Sequence, residues 1–341
     1  MRMYKRWAAL LLVLLIIVSM TACKETSAGN TESSAPTEWP QTSAMPETAK
    51  TAFIQTGDYL SGLDTSVIGT FGSEWVIIGL ARSGRLDEKA ATAYKQAIAE
   101  YVATIGSPKL HKSKCTDTVR VILALTAIGA DVTDVGGYNL LEGLTEMDYI
   151  KKQGNNGPVW ALIALDSGNY AVPTAADPAM QVSRESLIDY ILSVQCADGG
   201  WSLAGSASDL DVTAMTLQAL APYTKDERVS SAAQNALTYL SKAQAEDGGF
   251  VGYGVSTSET CAQVIVALTA LGIDPAKDTR FIKNGKTVVD KLCSFAVEGG
   301  GFCHIQDAPK VDGVATEQGY YALAAYERLL TGKTSLYDMN D

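Results

Sequence analysis

The chain has 341 residues, 47% of them hydrophobic and 19% charged, with 38 Asp and Glu against 27 Lys and Arg. A net charge of −11 without a basic cluster argues against nucleic acid as a partner, because phosphates recruit Lys and Arg. Six cysteines with no CxxC pair write neither a zinc ribbon nor a disulfide framework.

Arg2, Lys5 and Arg6 precede an apolar run from Trp7 to Met20, broken only by Ser19. The run has the length of a signal peptide rather than of a membrane span. It ends in Met20-Thr-Ala-Cys23, which resembles a bacterial lipobox. Residues 1–22 are therefore expected to be removed and Cys23 to carry lipid, giving an extracytoplasmic protein on a membrane anchor. Loss of the leader leaves 24 basic against 38 acidic residues, a net charge of −14, so an anionic bilayer would repel the domain itself. Residues 23–47 are rich in Ser, Thr, Glu and Pro and lack apolar periodicity, the composition of a disordered tether.

The next 288 residues, 48–335, carry an internal repeat, and 336–341 remain as a tail. Six segments begin small and polar and end near Ala-Leu or Gly-Leu: 73–84, 116–130, 157–168, 210–223, 258–274 and 315–330. Their matching residues are Leu80, Leu125, Leu165, Leu220, Leu268 and Leu323, at gaps of 45, 40, 55, 48 and 55 residues. Each gap has room for two helices and their loops. The repeated segments are apolar nearly all round, which predicts helices covered on both sides. The intervening segments, about 49–63, 88–105, 138–153, 183–195, 230–244 and 284–296, are one-faced. In the fifth, Ala236, Leu237 and Leu240 oppose Gln234, Asn235 and Lys242. Six buried helices alternating with six half-exposed ones predict an all-α fold, an (α/α)6 toroid of two concentric rings.

The turns agree. Asp198-Gly-Gly-Trp201, Asp247-Gly-Gly-Phe250 and Gly299-Gly-Gly-Phe302 each follow an outer segment. Glycine permits a tight reversal, and the aromatic residue re-enters the core.

With these residues in view, the chain resembles the terpenoid-cyclase and protein-prenyltransferase superfamily. Gln195–Trp201 and Gln244–Phe250 are similar to its Q-x-x-D-G-G-W/F repeats, and the resemblance covers about residues 50–335. More narrowly, it resembles Gram-positive prenyltransferase/squalene-oxidase-repeat lipoproteins and the transcobalamin toroid. That likeness names a corrinoid as the candidate ligand. The small β domain that often follows such a toroid has no counterpart before Asp341, which implies half of a two-domain grip.

The resemblance also marks candidate chemistry. Asp209-Leu-Asp211-Val212-Thr-Ala is similar to the D-x-D-D-T-A acid element of class II cyclases, with Asp211 at the proton-donating position. Val212 stands where a third Asp is expected, and the simpler reading is two acids at a helix start, favoured by the dipole. Glu259-Thr-Cys261 loosely matches the D-x-C of zinc prenyltransferases, but the following repeat offers Glu317 and Gln318 instead of His, so no metal is expected. Cys293 and Cys303 are close enough to bridge, yet buried free thiols are the expectation.

Across the six inner segments, the first turns carry Glu74, Asp117, Asn156, Asp211, Glu259 and Glu317. On a toroid these would ring one mouth of the cavity. Trp75, Trp160, Trp201, Tyr320 and Tyr321 are candidate stacking surfaces there. The leading expectation is noncatalytic binding of a bulky ligand, a corrinoid first among them, or of a surface protein partner at an acidic mouth. The competing expectation is a cyclase- or prenyltransferase-like, or carbohydrate-active, enzyme using Asp211, Asp209 and neighbouring carboxylates.

Overall fold

The computed structural model describes residues 44–69, 72–252 and 254–341. The leader and Cys23 lie outside the described residues. Six inner helices are α2 (Glu74–Arg82), α4 (Cys115–Ala127), α6 (Asn156–Ser167), α8 (Leu210–Leu220), α10 (Ser258–Ala270) and α12 (Gly313–Leu330). Each packs on the next, and α12 packs back on α2, which closes the ring. The outer layer holds α1 (Glu47–Ser61), α3 (Glu88–Ile105), α5 (Met147–Ile150), α7 (Arg184–Ser193), α9 (Glu227–Ala243) and α11 (Val288–Cys293). The predicted α/α toroid is thus the observed fold, and the six repeat leucines are all within 1% of full burial.

Burial follows the sequence pattern. Helix α6 is buried without interruption from Gly157 to Leu165, because neighbouring inner helices cover its flanks. Helix α9 buries only Val229, Ala232, Ala233, Ala236, Leu237 and Leu240, a single stripe.

The corner turns show why Q-x-x-D-G-G-W recurs. Gln195 Nε2 donates to the Gly199 carbonyl at 2.8 Å and to Ala232 O at 2.9 Å, tying the turn to the next outer helix. Gln244 repeats this with Gly248 O at 2.9 Å and Phe281 O at 3.0 Å. Gly199 has φ +94°, and a Cβ there would lie 2.9 Å from Asn235 O, so only glycine fits without strain. Trp201 is fully buried and donates its indole N–H to Ile191 O at 2.8 Å. This removes Trp201 from the candidate stacking surfaces, since its ring fills the wall.

A threonine on the following inner helix then receives the re-entering backbone. Trp201 N donates to Thr213 Oγ1 at 2.9 Å, Phe302 N to Thr316 Oγ1 at 3.0 Å, and Leu110 N to Thr118 Oγ1 at 3.1 Å. At α10 the same place, four residues after the cap Thr257, is held by Cys261. Its buried thiol hydrogen-bonds the Phe250 backbone, and burial pushes it up to about 12.

Two predicted elements differ. The segment 138–153 is not one helix but a 3-10 turn (Leu140–Leu144), α5 and a second 3-10 turn (Lys151–Gln153). Here Gly143 lies so close to Pro108 that a Cβ would sit 2.6 Å from its carbonyl oxygen, and the chain bends around that contact. The predicted helix 284–296 shrinks to α11, because Asn284 and Gly285, both at positive φ, turn a hairpin between β3 (Ile282–Lys283) and β4 (Lys286–Thr287). A second hairpin, β1 (Val251–Gly252) with β2 (Val255–Ser256), follows the Phe250 corner.

The tail 336–341 belongs to the ring. Arg82 donates to Leu336 O at 3.0 Å, Asp338 O at 2.6 Å and Asp341 Oδ1 at 2.7 Å, while Arg328 donates to Thr334 O at 2.8 Å. Met339 N reaches Ser167 O at 2.9 Å. Leu336 and Tyr337 are buried beneath this strap. No helix among the described residues is long and apolar enough to cross a membrane. All five cysteines among the described residues are free, including Cys293 and Cys303.

Candidate active site at the mouth of the ring

The inner helices begin at one end of the ring, and their first turns form its mouth. Asp209 and Asp312 are caps: Asp209 Oδ1 accepts Val212 N, and Asp312 Oδ1 accepts Ala315 N, both at 2.9 Å. Asp209 is thus committed to the start of α8, which explains its presence without chemistry. The mouth leads into two chambers that share Gln318 as a lining residue.

The outer chamber, about 510 Å³, is lined by Asp211, Glu259, Thr260 and His304 among others. Asp211 Oδ1 is buried and has no hydrogen-bond partner among the described residues. Burial is the main reason that this carboxyl is pushed up to about 6; the Thr260 hydroxyl opposes the shift, while Asp209 and Glu259 reinforce it. Glu259 itself is engaged by His304 Nδ1 at 2.8 Å. Cys261 is buried in the wall behind them against the Phe250 backbone, so the Glu259 and Cys261 side chains that match the prenyltransferase D-x-C do not face one site. Among the described residues no group of three His, Cys, Asp or Glu side chains is placed to hold a metal ion.

The inner chamber, about 240 Å³, is aromatic. Trp75 meets Trp160 edge-on with centroids 5.2 Å apart, and Tyr321 lies 6.0 Å from Trp75. Asn156 lines this chamber with a buried Oδ1 that has no partner among the described residues. Gln263 donates to Tyr321 Oη at 2.7 Å and to Gln318 Oε1 at 2.9 Å, bracing the wall between α10 and α12. The two chambers are registered by helix geometry. Asp211 and Met215 on α8, and Glu259 and Gln263 on α10, are one turn apart, so each helix lines the outer chamber with its first turn and the inner chamber with the next.

Of the predicted aromatic surfaces, Trp75, Trp160 and Tyr321 face the inner chamber. Tyr320 does not: it is fully buried between α12 and α1, stacked 5.1 Å from Phe53, with its hydroxyl 2.8 Å from Ser83 Oγ. The residue directly after it takes the inward position, since neighbours on a helix are rotated by about 100°.

The rim is less acidic than the sequence implies, because it includes Arg120. This guanidinium lies 3.6 Å from Glu74 Oε2 and 3.5 Å from Asp117 Oδ1. Glu317 completes this group. Burial, with Glu74 adding to it and Arg120 opposing, pushes Glu317 up to about 8, so it is mostly neutral at pH 7. Arg120 was hidden in the sequence among apolar neighbours, but its spacing of three from Asp117 was a usable signal. The inner chamber alone is below the roughly 300–1,000 Å³ of pockets for drug-sized ligands, whereas the outer one, with His304 in its lining, falls within that range.

No protein-family model matches the sequence. A curated copalyl diphosphate synthase from Streptomyces cyslabdanicus is 27% identical over 229 residues, covering 65% of this chain and 42% of the relative. The chain therefore spans about two fifths of that relative's length. Among solved structures, a variant of the type II terpene cyclase MstE from Scytonema aligns with a TM-score of 0.54 at 13% identity, covering 82% of this chain and 96% of that one. A second variant of MstE, in complex with its substrate geranylgeranyl dihydroxybenzoate, gives 0.53 at 12% identity, with 83% and 98% covered. An unsaturated glucuronyl hydrolase from Bacillus sp. GL1 gives 0.53 at 13% identity, with 85% and 98% covered. At these identities the structural likeness establishes the toroid and leaves its use to the site.

Proposed function

From a ring with the terpenoid-cyclase α/α toroid fold, we propose that this chain takes an isoprenoid-like chain through its mouth and that Asp211 protonates one of its double bonds. The observation that carries this reading is the Asp211 carboxyl, half of it buried without a partner and held near 6, above an aromatic chamber. Protonating an alkene requires a neutral acid in a dry setting, a form that a carboxyl near 6 holds as a minority at pH 7 and as the majority below pH 6. The proton leaves Asp211 Oδ for an alkene carbon, and a second double bond attacks the resulting carbocation to close a ring. Loss of a C–H proton then restores an alkene. Substrate and product are isomers, so the balance needs no oxidant or reductant. The faces of Trp75, Trp160 and Tyr321 suit a passing cation and keep out water that would trap it.

The head group follows from charge. Among the described residues Arg120 is the one Lys or Arg side chain that lines either chamber, and Glu74 and Asp117 hold it. A diphosphate would find too few cations, so an uncharged, hydroxyl-bearing chain is the better match. The relative's name and the MstE substrate both carry isoprenoid chains and support that part of the reading, while their head groups, a diphosphate and a dihydroxybenzoate, differ from the one inferred here. A second reading, binding without catalysis, is favoured by Val212, which denies Asp211 a third carboxylate. The lipid at Cys23 and the extracytoplasmic location belong to the proposal as well, resting on the leader sequence.

The test is to incubate the full chain with farnesol and geranylgeraniol, following tryptophan quenching for binding and mass-resolved chromatography for cyclic isomers. The expected result is product from the wild type, and binding without product from Asp211→Asn. Binding without product in both would favour the noncatalytic reading. Neither binding nor product in the wild type would overturn both.

A further inference from the structure

At the opposite end of the ring lies a larger chamber, about 680 Å³, lined by Ile163, Gln218, Ala219, Ala270 and Tyr337 among others. Between it and the inner aromatic chamber stand the hydrogen-bonded pair Gln218 and Gln263 and, from the C-terminal tail, the side chain of Tyr337. Tyr337 is 8% exposed and meets Trp160 edge-on with centroids 5.7 Å apart. Trp160 lines the inner chamber, and Tyr337 lines the far one. We infer that Tyr337 is the floor of the cup and sets the length of the chain that the ring admits. This rests on the isoprenoid reading of the mouth.

The tail holds this position without help from the ring's ligand. Arg82 and Arg328 grip the tail backbone and Asp341, and neither touches the Tyr337 side chain. The Tyr337 hydroxyl is buried with no partner among the described residues, so the ring, not the phenol, performs the role. Removing the ring would open space beside the Gln218–Gln263 pair, from the chamber of about 240 Å³ towards the one of about 680 Å³, while the anchors outside the cup stay in place.

The experiment uses the full chain and three isoprenoid alcohols of increasing length, geraniol, farnesol and geranylgeraniol. Trp75 and Trp160 supply an intrinsic fluorescence signal. The wild type is expected to favour the shorter alcohols. Tyr337→Ala should raise the affinity for geranylgeraniol relative to geraniol by about tenfold, and Tyr337→Trp should shift the preference the other way. Tyr337→Phe should keep the wild-type order. If the wild type binds these alcohols and both Tyr337→Ala and Tyr337→Trp keep its order of preference, the floor is overturned while the cup reading stands. If none of the alcohols quenches the wild type, the cup reading falls, and the floor with it.

Discussion

Asp211→Asn tests the physical state of the proposed acid apart from any turnover. Its carboxyl is raised from an ordinary 3.8 to about 6, chiefly by burial. At about 1.36 kcal/mol per unit, ionised Asp211 costs the folded chain about 3 kcal/mol. The folded state holds this proton more tightly than the unfolded state. The penalty is therefore absent below pH 3.8, grows between pH 3.8 and 6, and is complete above 6. Asparagine keeps the shape and can still meet the Thr260 hydroxyl, but carries no charge. The variant should be more stable than the wild type by up to about 3 kcal/mol at pH 8, with most of that advantage gone at pH 4. Urea unfolding at both pH values, with slopes compared, measures it. A variant equal to or weaker than the wild type at pH 8 would show that Asp211 is satisfied in its ionised form, and the argument for a neutral acid would fail.

Glu317→Gln should behave likewise over a window from pH 4.5 to about 8, because burial and Glu74 raise that carboxyl. The variant should gain melting temperature over the wild type at pH 9 and lose that advantage below pH 4.5; a constant difference would exclude the linkage. Thr213→Ala orphans the Trp201 backbone N–H and should cost about 1–3 kcal/mol. Cys261→Thr, which restores the residue used at the equivalent corners, should cost about 1.5 kcal/mol or less by chemical denaturation. A large loss there would mean that the thiol has a role beyond the corner. Cys23→Ala should abolish incorporation of labelled palmitate and release the protein from the membrane fraction, and retained label would refute the lipobox.

The ring was legible because closing it imposes two different burial patterns on one chain. An inner helix such as α6 has neighbours on both flanks and so reads apolar all round, whereas α9 shows a single stripe. The corner motif was legible for a similar reason: every residue in Gln195–Trp201 answers a local demand, from the amide clamp to the positive φ of Gly199. Where the sequence misled, tertiary contact won over periodicity. Residues 138–153 carry helical spacing but bend around the approach of Gly143 to Pro108. The Asn284-Gly285 pair was a hairpin signal that the helical pattern around it masked. At the site, spacing placed Asp211 and Glu259 correctly on first turns, but α12 starts at Gly313, which puts Glu317 a turn further in than expected, and spacing could not say which of Tyr320 and Tyr321 faces inward. Nor could it show that residues distant in sequence, Tyr337 above all, close the cup.

The acidic first turns invited an explanation from the helix dipole, and the structure sets its limit. A dipole stabilises a carboxylate at a helix start by roughly 0.3–1 kcal/mol, and up to about 2 in favourable sites. Asp211 and Glu317 are nonetheless raised, by shifts worth about 3 kcal/mol or more. Desolvation therefore outweighs the dipole at Asp211, while Glu317 lies beyond the first turn of α12 where the dipole acts, and closing the ring takes both out of water. The same closure brings Arg120 of α4 between Glu74 of α2 and Asp117, and leaves Glu317 of α12 largely protonated at neutral pH. A mouth that reads as a ring of acids is, in the fold, one neutralised cluster, one neutral carboxyl and one carboxyl poised near 6. That distribution suits an uncharged chain entering past Asp211 better than it suits a cation drawn to an acidic rim.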